Sequence, residues 1–265
     1  LAKSTEIGYI TGHEEAPLFA EDGNLSNFST AISDMYTFKE INLEKEDIPS
    51  SLTSIVINGP KTAYTDEELY KIDQFLMKGG NVLLFADPFK MESNNYYQQV
   101  EYIPTTTNLD TILEKYGVKL GKNYVFDENC FSVNQPQYGN MKLFWAPMLQ
   151  KKQLAAKHPI VKNLGYVIFL QGGTVDASEA QANKNLKTTI LAKSSKESWT
   201  VNKDFILYPG YNVPPKDQST MDSKNMAVLL EGSFTSAFAN EQNIITNFKS
   251  KSPNTYRIFP IRPAE

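Results

Sequence analysis

Short apolar runs alternate with helical patterns through the first half of the chain. Four such runs predict strands: Glu6–Thr11, Tyr36–Leu43, Ser54–Asn58 and Asn81–Ala86. The last of these is apolar almost throughout, so we expect it to be buried on both faces. Apolar residues at helical spacing predict a helix between the first two strands, at Ser26–Met35.

The clearest predicted helix begins after Thr65 and ends at Gly79-Gly80. Thr65 and Glu68 have the spacing of a capping box, and the glycine pair is a typical helix stop. The apolar stripe of this helix consists of Leu69, Ile72, Phe75 and Leu76. A further helix is predicted at Leu109–Tyr116, followed by a strand at Asn123–Phe126. This order of elements is typical of a wound α/β fold with a mostly parallel sheet.

After Asp127 the pattern changes, because helical periods become rare. Isolated apolar runs predict strands joined by long loops, at Gly165–Leu170, Thr188–Ala192 and Met226–Leu230. The length of 265 residues allows one large or two modest domains. We therefore predict a wound α/β lobe over residues 1–127 and a strand- and loop-rich lobe over 128–265, packed on the first or continuous with it.

The net charge of −4 conceals an uneven distribution. Residues 1–132 hold 10 basic and 21 acidic side chains, whereas residues 133–265 hold 16 and 9. Arg257 and Arg262 are the only arginines, which argues against nucleic acid as a partner. No apolar run approaches the roughly 20 residues that span a bilayer. A lone cysteine, Cys130, excludes an intramolecular disulfide and a structural zinc site.

Polar residues follow three of the predicted parallel strands, where α/β proteins usually bind ligands. These residues form our candidate ligand-binding crevice: His13, Glu14, Asn58 and Asp87. A histidine beside a carboxylate has the groups needed for acid–base chemistry. The alternative is structural, with Asp87 capping a turn, Asn58 fastening a loop and His13 making a local hydrogen bond.

The motifs of common catalytic sites are missing. There is no G-x-S-x-G elbow, and Cys130 has neither flanking glycines nor a following helix pattern. The pairs Gly79-Gly80 and Gly172-Gly173 do not open a helix, so neither predicts a phosphate cradle. Adjacent His13, Glu14 and Glu15 side chains diverge and do not predict a metal site. We therefore expect no catalytic residue, metal or cofactor.

Aromatic residues make up 12% of the chain. The stretches Tyr138–Leu149 and Phe205–Tyr211 could form a glycan- or peptide-binding platform, or a protein interface. Aromatic residues also pack the cores of irregular segments, and the sequence leaves these alternatives open.

Several segments in order resemble one family: Tyr9–Glu14 (YITGHE), Asp66–Asp87 followed by Pro88, Leu113–Gly117 (LEKYG), Asn123–Asp127 (NYVFD), His158–Ile160 (HPI), Leu191–Trp199 (LAKSSKESW) and Ala227–Phe238 (AVLLEGSFTSAF). Together they resemble the soluble region of GldG-type proteins, the auxiliary components of ABC transport systems linked to gliding motility in Bacteroidetes. The run LLEGSF-x-S-x-F is the most distinctive of these segments, and the resemblance covers nearly the whole chain.

The resemblance implies a non-catalytic domain on the periplasmic side of the inner membrane, anchored by flanking membrane-spanning segments. Its implied partners are an ABC ATPase and a permease, in gliding motility or envelope export. The implied fold is similar to class I glutamine amidotransferase-like, flavodoxin-like domains without their catalytic residues, although an amidotransferase-like hydrolase stays an alternative. Related domains occur in intraflagellar-transport proteins. The basic residues Lys249, Lys251, Arg257 and Arg262 are expected near anionic lipid or an acidic partner.

Overall fold

The computed structural model describes residues 4–18, 30–94 and 99–240. The chain divides into two compact units, of which the first takes in Leu1–Ala86, Thr106–Tyr116 and Ser233–Glu265. The second takes in Asp87–Thr105 and Gly117–Gly232. The lobe division expected at residues 127 and 128 stays a prediction.

Four parallel strands and two complete helices lie in the described part of the first unit. Their bounds are β1 Thr5–Thr11, β2 Tyr36–Asn42, β3 Ser54–Asn58, α1 Asp66–Met77, β4 Asn81–Phe85 and α2 Asp110–Lys115. The strand order is β2-β1-β3-β4. Helix α1 is the crossover between β3 and β4, which pair in parallel from Ser54 opposite Asn81 to Asn58 opposite Phe85.

Helix α1 forms as the sequence predicts. Thr65 accepts a hydrogen bond from the Glu68 backbone, and the Glu68 carboxylate accepts one from the Thr65 backbone, so the capping box is complete. The apolar stripe of α1 packs on the sheet in a core that includes Leu69, Ile72 and Ile57. Each such side chain contributes about 1.5–3 kcal/mol when it is fully buried.

Strand β4 differs from its predicted burial. Leu83 and Phe85 are 52% and 53% exposed, while Val82 and Leu84 pack against the core. β4 is the last strand in the order β2-β1-β3-β4, and only its α1 side faces the core. The expectation of a strand buried on both faces is therefore wrong.

Short antiparallel sheets dominate the second unit. Its strands are β5 Phe89–Asn94, β6 Gln99–Pro104, β7 Lys119–Leu120, β8 Tyr124–Asp127, β9 Cys130–Gln135, β10 Gly139–Gln150, β11 Tyr166–Ile168, β12 Val175–Asp176, β13 Leu186–Lys193, β14 Ser198–Val201 and β15 Asn225–Gly232. Helix α3 covers Ser178–Ala182, and 3₁₀ turns cover Lys151–Gln153 and Gln218–Thr220. The largest sheet in these residues has the order β11-β10-β9.

The predicted wound α/β fold, similar to amidotransferase-like or flavodoxin-like domains, is wrong. Parallel pairing among the described residues is confined to the short sheet of β1 to β4, and the other sheets are antiparallel. After β4 the chain forms the hairpin β5–β6 instead of another crossover helix. The strand predicted at Asn123–Phe126 becomes β8, which pairs antiparallel with the distant β14. Short apolar runs do not specify their partners, so the sequence did not distinguish these pairings.

Some expectations fall on residues outside the described ranges. The helix predicted at Ser26–Met35 lies partly there, and within the described residues 30–32 are helical. The basic positions Lys249, Lys251, Arg257 and Arg262 lie entirely outside the described residues. No helix within the described ranges has the length and apolar character needed to cross a membrane.

Candidate functional site

The chain bends where β1 ends, at Gly12 and His13. Gly12 has φ of 118° and Glu14 has φ of 58°, so two left-handed residues flank His13. A β-carbon at Gly12 would lie 3.2 Å from the Asn42 side chain, and its backbone conformation favours glycine. The bend brings the Ala16 amide to the Asn58 carbonyl, at 3.0 Å.

His13 lies in a buried cluster with two glutamates and a tyrosine. Its Nε2 is 3.3 Å from Glu68 Oε2, and its Nδ1 is 3.9 Å from Glu15 Oε1. Its ring stacks on Tyr64, with ring centroids 3.9 Å apart. The side chains of His13, Glu15 and Glu68 are 10%, 2% and 5% exposed. Four polar or aromatic groups thus share one largely dry region of the first unit.

The Glu15 carboxylate links Tyr64 to the backbone of His13. It accepts a hydrogen bond from Tyr64 Oη at 2.6 Å and another from the His13 backbone amide at 2.7 Å. Burial and the negative charge of Glu15 raise the pKa of Tyr64 above its ordinary value. The phenol therefore keeps its proton at neutral pH and remains a donor to Glu15.

The cluster joins elements of the first unit. His13 contacts Glu68, which caps α1, and its carbonyl accepts from the Lys61 backbone. The nearby hydroxyl of Thr65 donates to Glu68 at 2.8 Å, so it is engaged by a carboxylate. His13 Nδ1 is buried without a hydrogen-bond partner in the described structure. Nucleophilic catalysis usually needs a serine, threonine or cysteine within reach of the imidazole. In the described residues, the contacts of the His13 side chain are with the carboxylates of Glu15 and Glu68 and the ring of Tyr64.

A second buried carboxylate, Asp73 of α1, was not singled out by the sequence. It is fully buried and accepts hydrogen bonds from Tyr116 Oη at 2.6 Å, Ser236 Oγ at 2.7 Å and the Ala237 amide at 2.8 Å. Gln74 Nε2 donates to it at 2.9 Å. Burial, followed by the charge of Asp73, raises the pKa of Tyr116. These hydrogen bonds attach the distinctive GSFTSAF segment to α1. That segment was the feature of the sequence that could have indicated a partner for Asp73.

The second unit contains a comparable buried carboxylate, Asp127, which joins separate segments of the chain through hydrogen bonds. This fully buried carboxylate accepts bonds from the Ser195 amide at 2.7 Å, Ser195 Oγ at 2.6 Å and the Asn129 amide at 2.8 Å. Burial raises the pKa of Asp127, while these donors oppose the rise. A cavity of about 670 Å³ lies beside it. Its lining includes Lys152, Gln153, Lys193, Ser195 and Lys196.

The structure places the four predicted crevice residues in different settings. His13 is buried, whereas Glu14 is exposed. The Asn58 amide donates to Tyr9 Oη at 3.1 Å, and that hydroxyl donates to the Ala16 carbonyl at 2.5 Å. Asn58, the last residue of β3, is therefore hydrogen-bonded to the Tyr9–Ala16 segment that contains His13. Asp87 is exposed and belongs to the second unit.

Cys130 and most of the aromatic stretches have structural surroundings. Burial raises the pKa of the Cys130 thiol to about 11, which keeps it protonated at neutral pH. Trp145 packs near Phe126, and Phe205 packs on Tyr124. Tyr208 and Tyr211 are exposed and pack edge to face. No group of three or more potential metal ligands is arranged around one point in the residues described.

The comparisons with known proteins identify a transport family. Residues 4–261 match the family model described as ABC-type uncharacterized transport system, an auxiliary component. The solved mmIFT52 N-terminal domain aligns with 72% of this chain and 79% of its own, at 13% identity and a TM-score of 0.48. We assign nothing to the chain from that similarity, and no curated protein matches. Since the family model spans nearly its whole length, the chain belongs to the auxiliary family of ABC-type transport systems.

Proposed function

We propose that this chain is the periplasmic region of a GldG-type accessory protein and works through protein contacts, without catalysis. Its partners are an ABC ATPase and a permease in the inner membrane, and its system serves gliding motility or envelope export. Segments flanking the chain anchor it to the membrane. The observation that carries this proposal is the family match over residues 4–261.

The chemistry of the buried polar groups supports a role without catalysis. Glu15, Asp73 and Asp127 each accept hydrogen bonds from groups within their own unit. His13 contacts carboxylates and a tyrosine ring, and Cys130 keeps its proton at neutral pH. These groups hold loops and helix ends together, which is a structural use of acid–base side chains.

Exposed side chains in the loop after β14 offer a surface for the permease. Ile206, Tyr208, Tyr211 and Val213 are between 54% and 76% exposed. Tyrosine is enriched in protein interfaces because its ring supplies contact area and its hydroxyl supplies a hydrogen bond. We propose that this loop contacts the extracytoplasmic part of the permease.

Co-purification in detergent tests the proposal. The chain, expressed with its natural flanking sequence and a tag, is expected to retain the permease and its ATPase. The double variant Tyr208→Ala, Tyr211→Ala should reduce the retained permease about tenfold or more, since two interface hot spots of about 1–2 kcal/mol each are lost. Tyr36→Ala is the matched control, because Tyr36 is 39% exposed and belongs to β2 of the first unit.

Two results would contradict the proposal. The first is a complex that forms equally well with the double variant and the wild type, which would remove the loop as the contact. The second is hydrolysis of an ester or amide by the purified chain that is lost in a folded His13→Gln variant, which would make the chain an enzyme.

A further inference from the structure

The edge strand β11 presents an apolar row away from the core. Tyr166, Ile168 and Leu170 are 60%, 38% and 63% exposed. The intervening Val167 and Phe169 pack in the core cluster of the same unit. This alternation is the period of a strand with one face buried and one face open. Here the open face carries large apolar side chains where polar ones are usual.

The row continues into the turn that precedes β11. Ile160 and Leu164 are 57% and 41% exposed in that turn. On the central strand, Met148 pairs with Ile168, and Gln150 pairs with Tyr166. We call Ile160, Leu164, Tyr166, Ile168 and Leu170 the β11 face. Its five large side chains fall within eleven consecutive residues and are all exposed, and a cluster of exposed apolar side chains is typical of a binding surface.

Within the segment that contains the β11 face, the charged side chains have a single sign. Residues 129–175 contain five lysines and no aspartate or glutamate. Lys142 is paired with Glu128, outside that segment. The other four are exposed and form no ion pair within the described residues: Lys151, Lys152, Lys157 and Lys162.

All four lysines lie in the connection between β10 and β11. Gln150 pairs with Tyr166 in the last rung, and Lys151 and Lys152 follow it directly. Lys157 and Lys162 lie in the connection that leads back to Tyr166. The positive charge is therefore concentrated where the apolar row begins.

We propose that the β11 face docks on the anionic surface of a lipid bilayer. The tyrosine and aliphatic side chains enter the boundary between headgroups and acyl chains, and the lysines contact the phosphates. No carboxylate in residues 129–175 opposes this approach. The family places the chain in a membrane transport system, so a bilayer is close at hand.

The residue types favour a membrane over an acidic protein. Both arginines of the chain, Arg257 and Arg262, lie outside this segment, and its cations are all lysines. Arginine is the residue that recognises carboxylates through two fixed hydrogen bonds, whereas lysine acts as a mobile point charge. The headgroups of an anionic bilayer form a diffuse negative surface, and mobile lysines beside apolar side chains can bind to it without a fixed geometry. The docking does not depend on the permease contact proposed above.

Vesicle co-sedimentation of the 265-residue chain tests this inference. The chain is mixed with vesicles of phosphatidylcholine alone and of phosphatidylcholine with phosphatidylglycerol. At low salt we expect several-hundred-fold tighter binding to the anionic vesicles, at about fivefold per lysine for four lysines. Raising the salt concentration should remove most of that preference, because exposed charges are screened.

Charge variants test whether the lysines between β10 and β11, rather than lysines elsewhere on the surface, cause the preference for anionic vesicles. Replacing Lys151, Lys152, Lys157 and Lys162 together by glutamine should abolish the preference for anionic vesicles. The control replaces four other exposed lysines by glutamine: Lys115, Lys184, Lys203 and Lys216. The control should keep most of the preference, and equal thermal midpoints would show that both variants fold.

A third variant tests the apolar row. Ile168→Ser with Leu170→Ser should weaken binding to anionic vesicles about tenfold or more at low salt and leave the lysine-dependent salt effect in place. The proposal is overturned if the wild-type chain binds both vesicle types equally, or if the two lysine variants behave alike. Capture of an acidic peptide without vesicle binding would assign the face to a protein partner instead. Permease retention in detergent is a separate readout, so the two proposals fail independently.

Discussion

Replacing Asp73 by alanine is expected to destabilise the first unit by about 3–5 kcal/mol. The carboxylate is fully buried and accepts bonds from Tyr116 Oη, Ser236 Oγ and the Ala237 amide. Alanine leaves these three donors without an acceptor in a dry region. Each unsatisfied buried donor costs about 1–3 kcal/mol. Because the surrounding side chains can relax, we expect the total for the three donors to lie near the lower end of that range for each.

An asparagine at position 73 should cost much less, about 1–2 kcal/mol. Its amide oxygen can keep the bonds from Tyr116 and Ala237, which both reach Oδ1 of Asp73. Its amide nitrogen would stand where Oδ2 now accepts from Ser236 and Gln74. The Ser236 hydroxyl can rotate to accept, and Gln74 Oε1 is buried without a partner in the described structure. The asparagine therefore finds acceptors for the donors it adds.

Urea unfolding followed by fluorescence and circular dichroism measures both free energies of unfolding. Asp34→Ala is the control, because Asp34 is exposed and should change stability by less than about 0.5 kcal/mol. Ser236→Ala alone should cost about 1 kcal/mol, and its cost should shrink in the Asp73→Ala background because the two groups share a bond. If Asp73→Ala lies within about 1 kcal/mol of the wild type, or matches Asp73→Asn, the carboxylate does not hold this joint.

Three further predictions concern other positions in the fold. Burial raises the pKa of Asp127, so the folded state binds its proton more tightly than the unfolded state does. The free energy of unfolding, relative to an Asp127→Asn variant, should therefore fall as the pH rises from about 4 through the raised pKa; a flat or rising difference in urea titrations would contradict this. With a thiol pKa of about 11, Cys130 should react with iodoacetamide at pH 7.5 on the order of 100-fold more slowly in the folded chain than in urea, and equal rates would show an accessible thiolate. Gly80→Ala should cost about 1–3 kcal/mol in thermal or urea unfolding, because its β-carbon would lie 2.2 Å from the Phe75 ring, whereas Gly165→Ala has open space and serves as the control; equal stability of the two variants would refute the clash.

The sequence predicted the elements whose information is local. The capping box of Thr65 and Glu68 and the stop at Gly79 define α1 within about fifteen residues of chain, and the structure confirms them. Strand Ser54–Asn58 was also predicted with its observed bounds. At these positions the capping residues, the apolar periodicity and the turn residues all favour the same secondary structure, so the sequence predicts it correctly.

The wrong predictions concern long-range pairing. Strand β8 has the composition of a buried parallel strand, yet its partner is β14, more than seventy residues away. Its four residues are all buried, which antiparallel pairing provides as well as a wound sheet does. The sequence also found His13 at the end of β1 but gave no indication of Glu68, which reaches it from the start of α1. Contacts of this kind depend on tertiary folding, and the periodicity of apolar residues in the sequence does not predict them.

The segments by which the chain resembles its family coincide with its buried polar joints. YITGHE ends at the His13 cluster, GSFTSAF supplies Ser236 and Ala237 to Asp73, and LAKSSKESW supplies Ser195 to Asp127. Each joint satisfies a buried carboxylate with several donors, so a change at either partner leaves an uncompensated polar group. These residues hold the fold together, and their presence is no argument for catalysis. Differences in function between members are then expected on the surface, where the apolar β11 face, the lysines beside it in sequence and the tyrosine loop after β14 are exposed and free of that constraint.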